Sequence, residues 1–160
     1  MNRLTGLAWS AYGLAALVVA LDQAAKAWVL GLGLQFYDTQ PVAGVLHVTL
    51  VPNSGVSYGL FQANQPVVRW ALVAFSLAVT AMIVWWARKS PRPLQALGFG
   101  LIAGGAIGNA IDRVRFGWVV DFIDVQRIGF FPWVFNVADS AITIGVIALL
   151  LDSLRREHAA

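Results

Sequence analysis

Four stretches of this chain are apolar over a length that few soluble folds can bury: residues 4–30, 68–87, 94–111 and 134–152. A helix crossing a hydrocarbon core of about 30 Å needs roughly 20 mainly apolar residues, and each stretch approaches or exceeds that. The first carries no charge from Leu4 to Leu21 and continues past Asp22 and Lys26 to Leu30; the fourth carries Asp139. Hydrophobic residues make up 59% of the 160 and charged residues 12%, about half the charged share of an ordinary soluble protein. The reading is an all-α membrane protein of one domain, a four-transmembrane-helix bundle with long loops at about 32–66 and 112–133. Arg3 before an apolar run also fits a cleavable signal peptide. Against that, no A-x-A-like site closes the run, and three further spans follow.

Several function classes drop out. A sequence pI near 9.8 would suggest nucleic acid in a soluble protein. Here the basic residues cluster beside apolar runs, so they read as orientation signals and no nucleic-acid partner is expected. There is no cysteine, and His47 and His158 are far apart; no metal site and no cofactor are expected.

Lysine and arginine set direction. Arg3, Arg88, Lys89, Arg92, Arg155 and Arg156 fall on one side of the alternating spans, and Arg113, Arg115 and Arg127 on the other. Six against three puts both termini in the cytoplasm and both long loops outside. The first loop holds "VLHVTLV" (45–51), β-branched and strand-like, then the breaker "PNSG", then "VSYGLF" (56–61) as a possible return strand. A small extracytoplasmic β-element follows. Gly100, Gly104 and Gly108 recur every fourth residue, giving one helix face a smooth stripe for close approach by a neighbour.

On this topology the polar residues gather at one membrane surface: Asp22 and Lys26 at the outer end of span one, Asn53 in the first loop, and Asn109, Asp112 and Arg113 at the end of span three. Asp121 and Asp124 follow in the second loop, and Asp139 lies five residues into span four, about 7.5 Å along a helix. The plain alternatives are specific. Asp22 and Lys26 have the i, i+4 spacing of an ordinary helix pair, which is the favoured reading. Asp112 and Arg113 could face water, Asp124 reads as a solvated loop acid, and Asp38 as loop surface. Asn136 or Asp139 could be a helix N-cap.

Asp139 stands out because a carboxylate in a membrane helix costs several kcal/mol and is a functional candidate by default. Asn136, three residues earlier, shares its face. In "WVVDFIDV", Asp121 sits among Val119, Val120, Phe122 and Ile123, a desolvating setting. Two carboxylates brought together in such a site cannot both ionise readily, so one keeps a proton while the other stays charged. That is the arrangement of aspartic proteases, in which the anion activates a water and the neutral acid protonates the carbonyl or leaving amine. Asn109 and Asn136 could hold the carboxylates or the substrate, and Arg113 could bind a carboxylate or a lipid phosphate.

The motifs "DQAAK" (22–26), "NSGVSYG" (53–59), "GGAIGNAIDR" (104–113), "VVDFIDV" (119–125) and "FNVAD" (135–139) together resemble the lipoprotein signal peptidase (signal peptidase II) family over essentially the whole chain. The resemblance implies an enzyme of the bacterial cytoplasmic (inner) membrane, acting near its outer face. Such enzymes cut the signal peptide from a prolipoprotein just before a cysteine that carries diacylglycerol. Asp121 and Asp139 would match the catalytic aspartates. Asn53, Gly55, Gly108, Asn109, Asp112, Arg113, Asn136 and Ala138 match residues that build or support the site, and Asp22 and Lys26 the first-helix motif. Tyr58 departs from the usual phenylalanine. The implied partners are the prolipoprotein with its lipidated cysteine and membrane lipid, with the enzyme a monomer and no cofactor. The β-element would form a cradle over the site. A proton-coupled transporter would also place acids in the membrane, but polar groups on both sides would then be expected. A scaffold would use them only as ion pairs, and a serine–lysine hydrolase lacks a G-x-S-x-G setting for Ser54 or Ser57.

Overall fold

The computed structural model describes residues 5–55, 66–89, 92–125 and 133–157. Four helices organise it: α1 (Gly6–Gly31), α2 (Pro66–Ala87), α3 (Pro93–Phe116) and α4 (Val137–Glu157). All four are long and apolar enough to cross a membrane. Four strands, β1 (Thr39–Ala43), β2 (Leu46–Asn53), β3 (Val119–Asp124) and β4 (Val134–Phe135), form one antiparallel sheet in that order. The strand expected over 45–51 is β2. The return strand at 56–61, Tyr58, Arg127, Arg3 and His158 lie outside the described residues.

α3 is the buried helix: 67% of its apolar stretch is inside the protein, against 17% to 28% for the others. Its glycines explain how one helix carries so many neighbours. Gly100 and Gly104 face α1, and a Cβ on Gly104 would come within 2.7 Å of the Ala15 carbonyl. Gly98 and Gly105 face α4 on another side, against Leu149 and Ala138. The stripe read from the sequence is therefore one of two glycine faces. Gly108 is the special case: a Cβ there would meet the Asp22 carboxylate at 2.6 Å, so backbone and acid can approach only without a side chain.

Exposure suits a lipid solvent. Leu17, Phe75, Ile144 and Leu150 are each more than half exposed. Tryptophans mark two levels: Trp9, Trp85 and Trp86 near one end of the bundle, Trp28, Trp70 and Trp133 near the other, all 46% to 64% exposed. Such rings collect at membrane–water interfaces. From Trp70 to Trp85 is about 22 Å along α2.

The sheet lies where α1 and α3 end and α4 begins. Gly117 closes α3 in the left-handed conformation (φ 88°), its N–H returned to the Arg113 carbonyl, so β3 can start two residues later. Val48 and Leu50 of β2 pack with Val120 and Phe122 of β3 and with Val29 of α1. Strand side chains alternate, so this packing turns Asp121 to the opposite face from Val120 and Phe122. Asp124, read as a solvated loop acid, is instead buried and accepts from the Thr49 hydroxyl at 2.6 Å. The strand pairing, invisible in the sequence, brings the two together. Asp38 is exposed, as expected, and accepts from the Gln35 N–H.

Candidate active site

Asn136 is the centre of the polar cluster. It is fully buried, and its amide nitrogen donates to Asp121 Oδ1 at 2.7 Å and to Asn109 Oδ1 at 3.2 Å. Its own Oδ1 accepts the Asp139 backbone N–H at 2.9 Å, while Asp139 Oδ2 accepts the Asn136 N–H at 3.3 Å. That reciprocal pair is a capping box. α4 accordingly begins at Val137, and residues 134 and 135, apolar enough to read as helix, pair with β3 instead. Asp139 is thus in the first turn of α4, where a helix N-terminus favours negative charge, and not 7.5 Å along a span. The capping role and the functional candidacy fall on the same two residues.

The remaining donors converge on the two aspartates. Asn53 Nδ2 donates to Asp121 Oδ2 at 2.9 Å, and Asn53 Oδ1 accepts the Gly55 N–H at 3.0 Å. Asn109 Nδ2 donates to Asp139 Oδ1 at 2.8 Å. Arg113 bonds the Asn109 carbonyl at 3.3 Å and lies within electrostatic reach of both Asp139 and Asp121. Asp121, 2% exposed, is pushed up to about 7, first by burial and then by the charge of Asp139; hydrogen bonds from Asn53 and Asn136 and the charge of Lys26 act the other way.

Beneath this layer Lys26 is buried between two acids. Its Nζ is 2.8 Å from Asp22 and 2.7 Å from Asp112, and it donates to Asn109 Oδ1 at 3.1 Å. Asp22 and Asp112 are wholly buried. Asp22 Oδ1 accepts the Ala138 N–H at 3.0 Å, and Asp112 Oδ2 accepts the Val120 N–H at 3.0 Å. Asp112 therefore does not face water, and the Asp22–Lys26 pair is a triad joining α1, α3, β3 and α4. Every described candidate (Asn53, Gly55, Gly108, Asn109, Asp112, Arg113, Asn136, Ala138, Asp22 and Lys26) is in or against this cluster. Gln23 was missed: its amide donates to Asp112 Oδ1 at 2.9 Å and to the Gly108 carbonyl at 3.3 Å. Its place inside "DQAAK" was the available signal. No group of metal-ligating side chains occurs among the described residues.

The raised Asp121 makes a stability prediction. Its contribution is fully present below about pH 4, where the unfolded side chain is protonated too, and is lost as pH rises through about 7. Asp121→Asn removes this dependence. The difference in melting temperature, variant minus wild type, should therefore grow between about pH 4 and 7 and level off above, with at most about 4 kcal/mol at stake for a shift of three units. Thermal unfolding in detergent measures it; a difference constant with pH would contradict the raised value.

The signal peptidase (SPase) II family model matches residues 14–155. A lipoprotein signal peptidase of Caulobacter vibrioides is 51% identical over 157 residues, covering 97% of this chain and 92% of its own. One of Methylorubrum extorquens is 48% identical, over 89% and 85%. A bacterial membrane enzyme solved by the in meso method at 2.3 Å resolution superposes with a TM-score of 0.81 at 28% identity, covering 97% of this chain and 93% of that one. By family model and by sequence, this multi-pass membrane chain, whose fold matches that of a bacterial membrane enzyme, belongs to the signal peptidase II family, a family of peptidases.

Proposed function

We propose that the protein is an aspartic endopeptidase that removes the signal peptide from diacylglyceryl-modified bacterial prolipoproteins, cutting just before the lipidated cysteine. The observation that carries this reading is the sharing of Asn136: its buried side-chain nitrogen donates to the Asp121 carboxylate and its backbone N–H to the Asp139 carboxylate. Two carboxylates are so tied into one desolvated site, and the pair titrates as a unit.

The ionised member of the pair takes a proton from a bound water as its oxygen attacks the scissile carbonyl carbon. The protonated member gives its proton to the carbonyl oxygen. As the resulting diol collapses, one of its hydroxyls gives a proton to the now ionised carboxylate, the C–N bond breaks, and the cysteine nitrogen leaves with the proton of the other carboxyl. Asn53, Asn109 and Asn136 hold the carboxylates through these exchanges, and Arg113 sits where it can balance the negative charge. No metal or organic cofactor is needed.

In the proposed topology both termini are cytoplasmic and the sheet lies outside, as a cradle over the site at the outer face of the cytoplasmic membrane. That fits a substrate that is itself a membrane helix with its scissile bond near the surface. Purified protein should cleave a precursor bearing diacylglyceryl-cysteine and leave the unlipidated precursor at least tenfold slower. The rate should fall above about pH 7, as Asp121 loses its proton. Equal cleavage of both precursors, or of neither, would overturn the assignment; a reporter fused to the C-terminus and found outside the cell would overturn the topology.

A further inference from the structure

The end of the bundle away from the dyad holds a second built feature. There the last turn of α2, the first turns of α3 and the last turns of α4 line an open cavity of about 420 Å³. Its mouth is polar, with Lys89, Arg92, Gln95 and Ser153; Phe99 and Leu149, about a turn or two deeper, form an apolar wall. Asp152, only 8% exposed, is fixed by Arg92, whose Nε lies 2.8 and 2.9 Å from its two oxygens and whose Nη2 lies 2.6 Å from Oδ2. The Arg92 side chain remains 40% exposed. Lys89 lies over the Trp85 ring at 6.0 Å.

Charge and depth point to one kind of occupant. Two cations line the cavity against one carboxylate, so it is net positive. α3 starts here with no side-chain cap from Arg92, which adds the positive end of a helix dipole. Trp85 and Trp86, 58% and 46% exposed, mark headgroup depth on the adjoining helix. A soluble anion would use the cations and leave the Phe99 and Leu149 wall idle. An amphiphile uses both, and basic pockets between membrane helices suit lipid headgroups.

We propose that this cavity docks an anionic phospholipid, its phosphate against Lys89 and the Arg92 guanidinium and its acyl chains leaving past Leu149 and the exposed Trp86. The site is separate from the aspartates, and its test needs no cleavage. Delipidated protein in neutral detergent is melted with phosphatidylglycerol, with phosphatidylcholine or with glycerol 3-phosphate. Phosphatidylglycerol should raise the melting temperature by about 5 °C, and the other two by about 1 °C or less. Lys89→Gln should at least halve the phosphatidylglycerol effect, and Ser153→Trp, which fills the mouth, should abolish it, both without lowering the lipid-free melting temperature. The proposal fails if phosphatidylglycerol has no effect, if both variants respond like wild type, or if phosphatidylcholine stabilises equally. A full effect from glycerol 3-phosphate alone would replace the lipid with a free phosphate ester and would sink it too.

Discussion

Asp121→Asn and Asp139→Asn should each slow cleavage of the lipidated precursor by about 10³-fold or more, because each proton transfer by a placed carboxyl contributes about 10² to 10⁴ and the pair acts together. An amide can neither take the proton from water nor give one to the carbonyl. Both variants should still fold: Oδ1 of an asparagine at either position remains an acceptor for the Asn136 or Asn109 amide. The double variant should be little worse than either single one, since groups acting as a unit are not additive. Asn53→Ala offers a different outcome. It removes a donor that holds Asp121 down, so the alkaline limb of the rate profile should move to higher pH while the loss in rate stays far smaller. Purified protein and a single-turnover assay decide these points. Turnover within tenfold of wild type in either aspartate variant would remove that residue from the chemistry.

What the sequence made legible was what reads along one dimension. Hydropathy gave four helices, because a lipid solvent demands a continuous apolar run whatever its neighbours are. The intramembrane penalty singled out Asp139, and the apolar flanks singled out Asp121. Pairings across the chain were not legible. Nothing near Asp124 reveals Thr49, which arrives through strand pairing 75 residues away. Asp112 at a helix end has the sequence of an acid facing water; its burial depends on Lys26 from α1 and on the Val120 N–H after the Gly117 turn. The start of α4 was misplaced for a related reason. Val134 and Phe135 are as apolar as the helix that follows, and only the β3 edge and the Asn136 cap decide that they are strand. Gln23 lies inside "DQAAK", but nothing along the chain shows that its amide meets Asp112 and the Gly108 carbonyl on α3.

Lys26→Met should be the most destabilising single change among the residues discussed. Asp22 and Asp112 are wholly buried, and Lys26 is 2% exposed with its Nζ within 2.8 Å of a carboxylate oxygen on each. Removing one partner of a buried ionic cluster leaves uncompensated charge and costs about 3–5 kcal/mol, here with two carboxylates left facing one another. For a chain of this size that lowers the melting temperature by roughly 10 °C. The Arg92–Asp152 pair is the contrast: its arginine is 40% exposed, so solvent screens it, and Asp152→Asn should cost about 1 kcal/mol or less. Geometry predicts a functional loss as well. Asp22 holds the Ala138 N–H ahead of Asp139, Asp112 holds the Val120 N–H beside Asp121, and Lys26 itself holds Asn109. The two acids therefore set the backbone on both sides of the dyad, and Lys26 sets the Asn109 side chain. Neutralising the acids with Asp22→Asn and Asp112→Asn in the Lys26→Met background should restore part of the stability, because the unpaired charge is gone. If Lys26→Met melts within about 2 °C of wild type, the triad is not what holds these elements together.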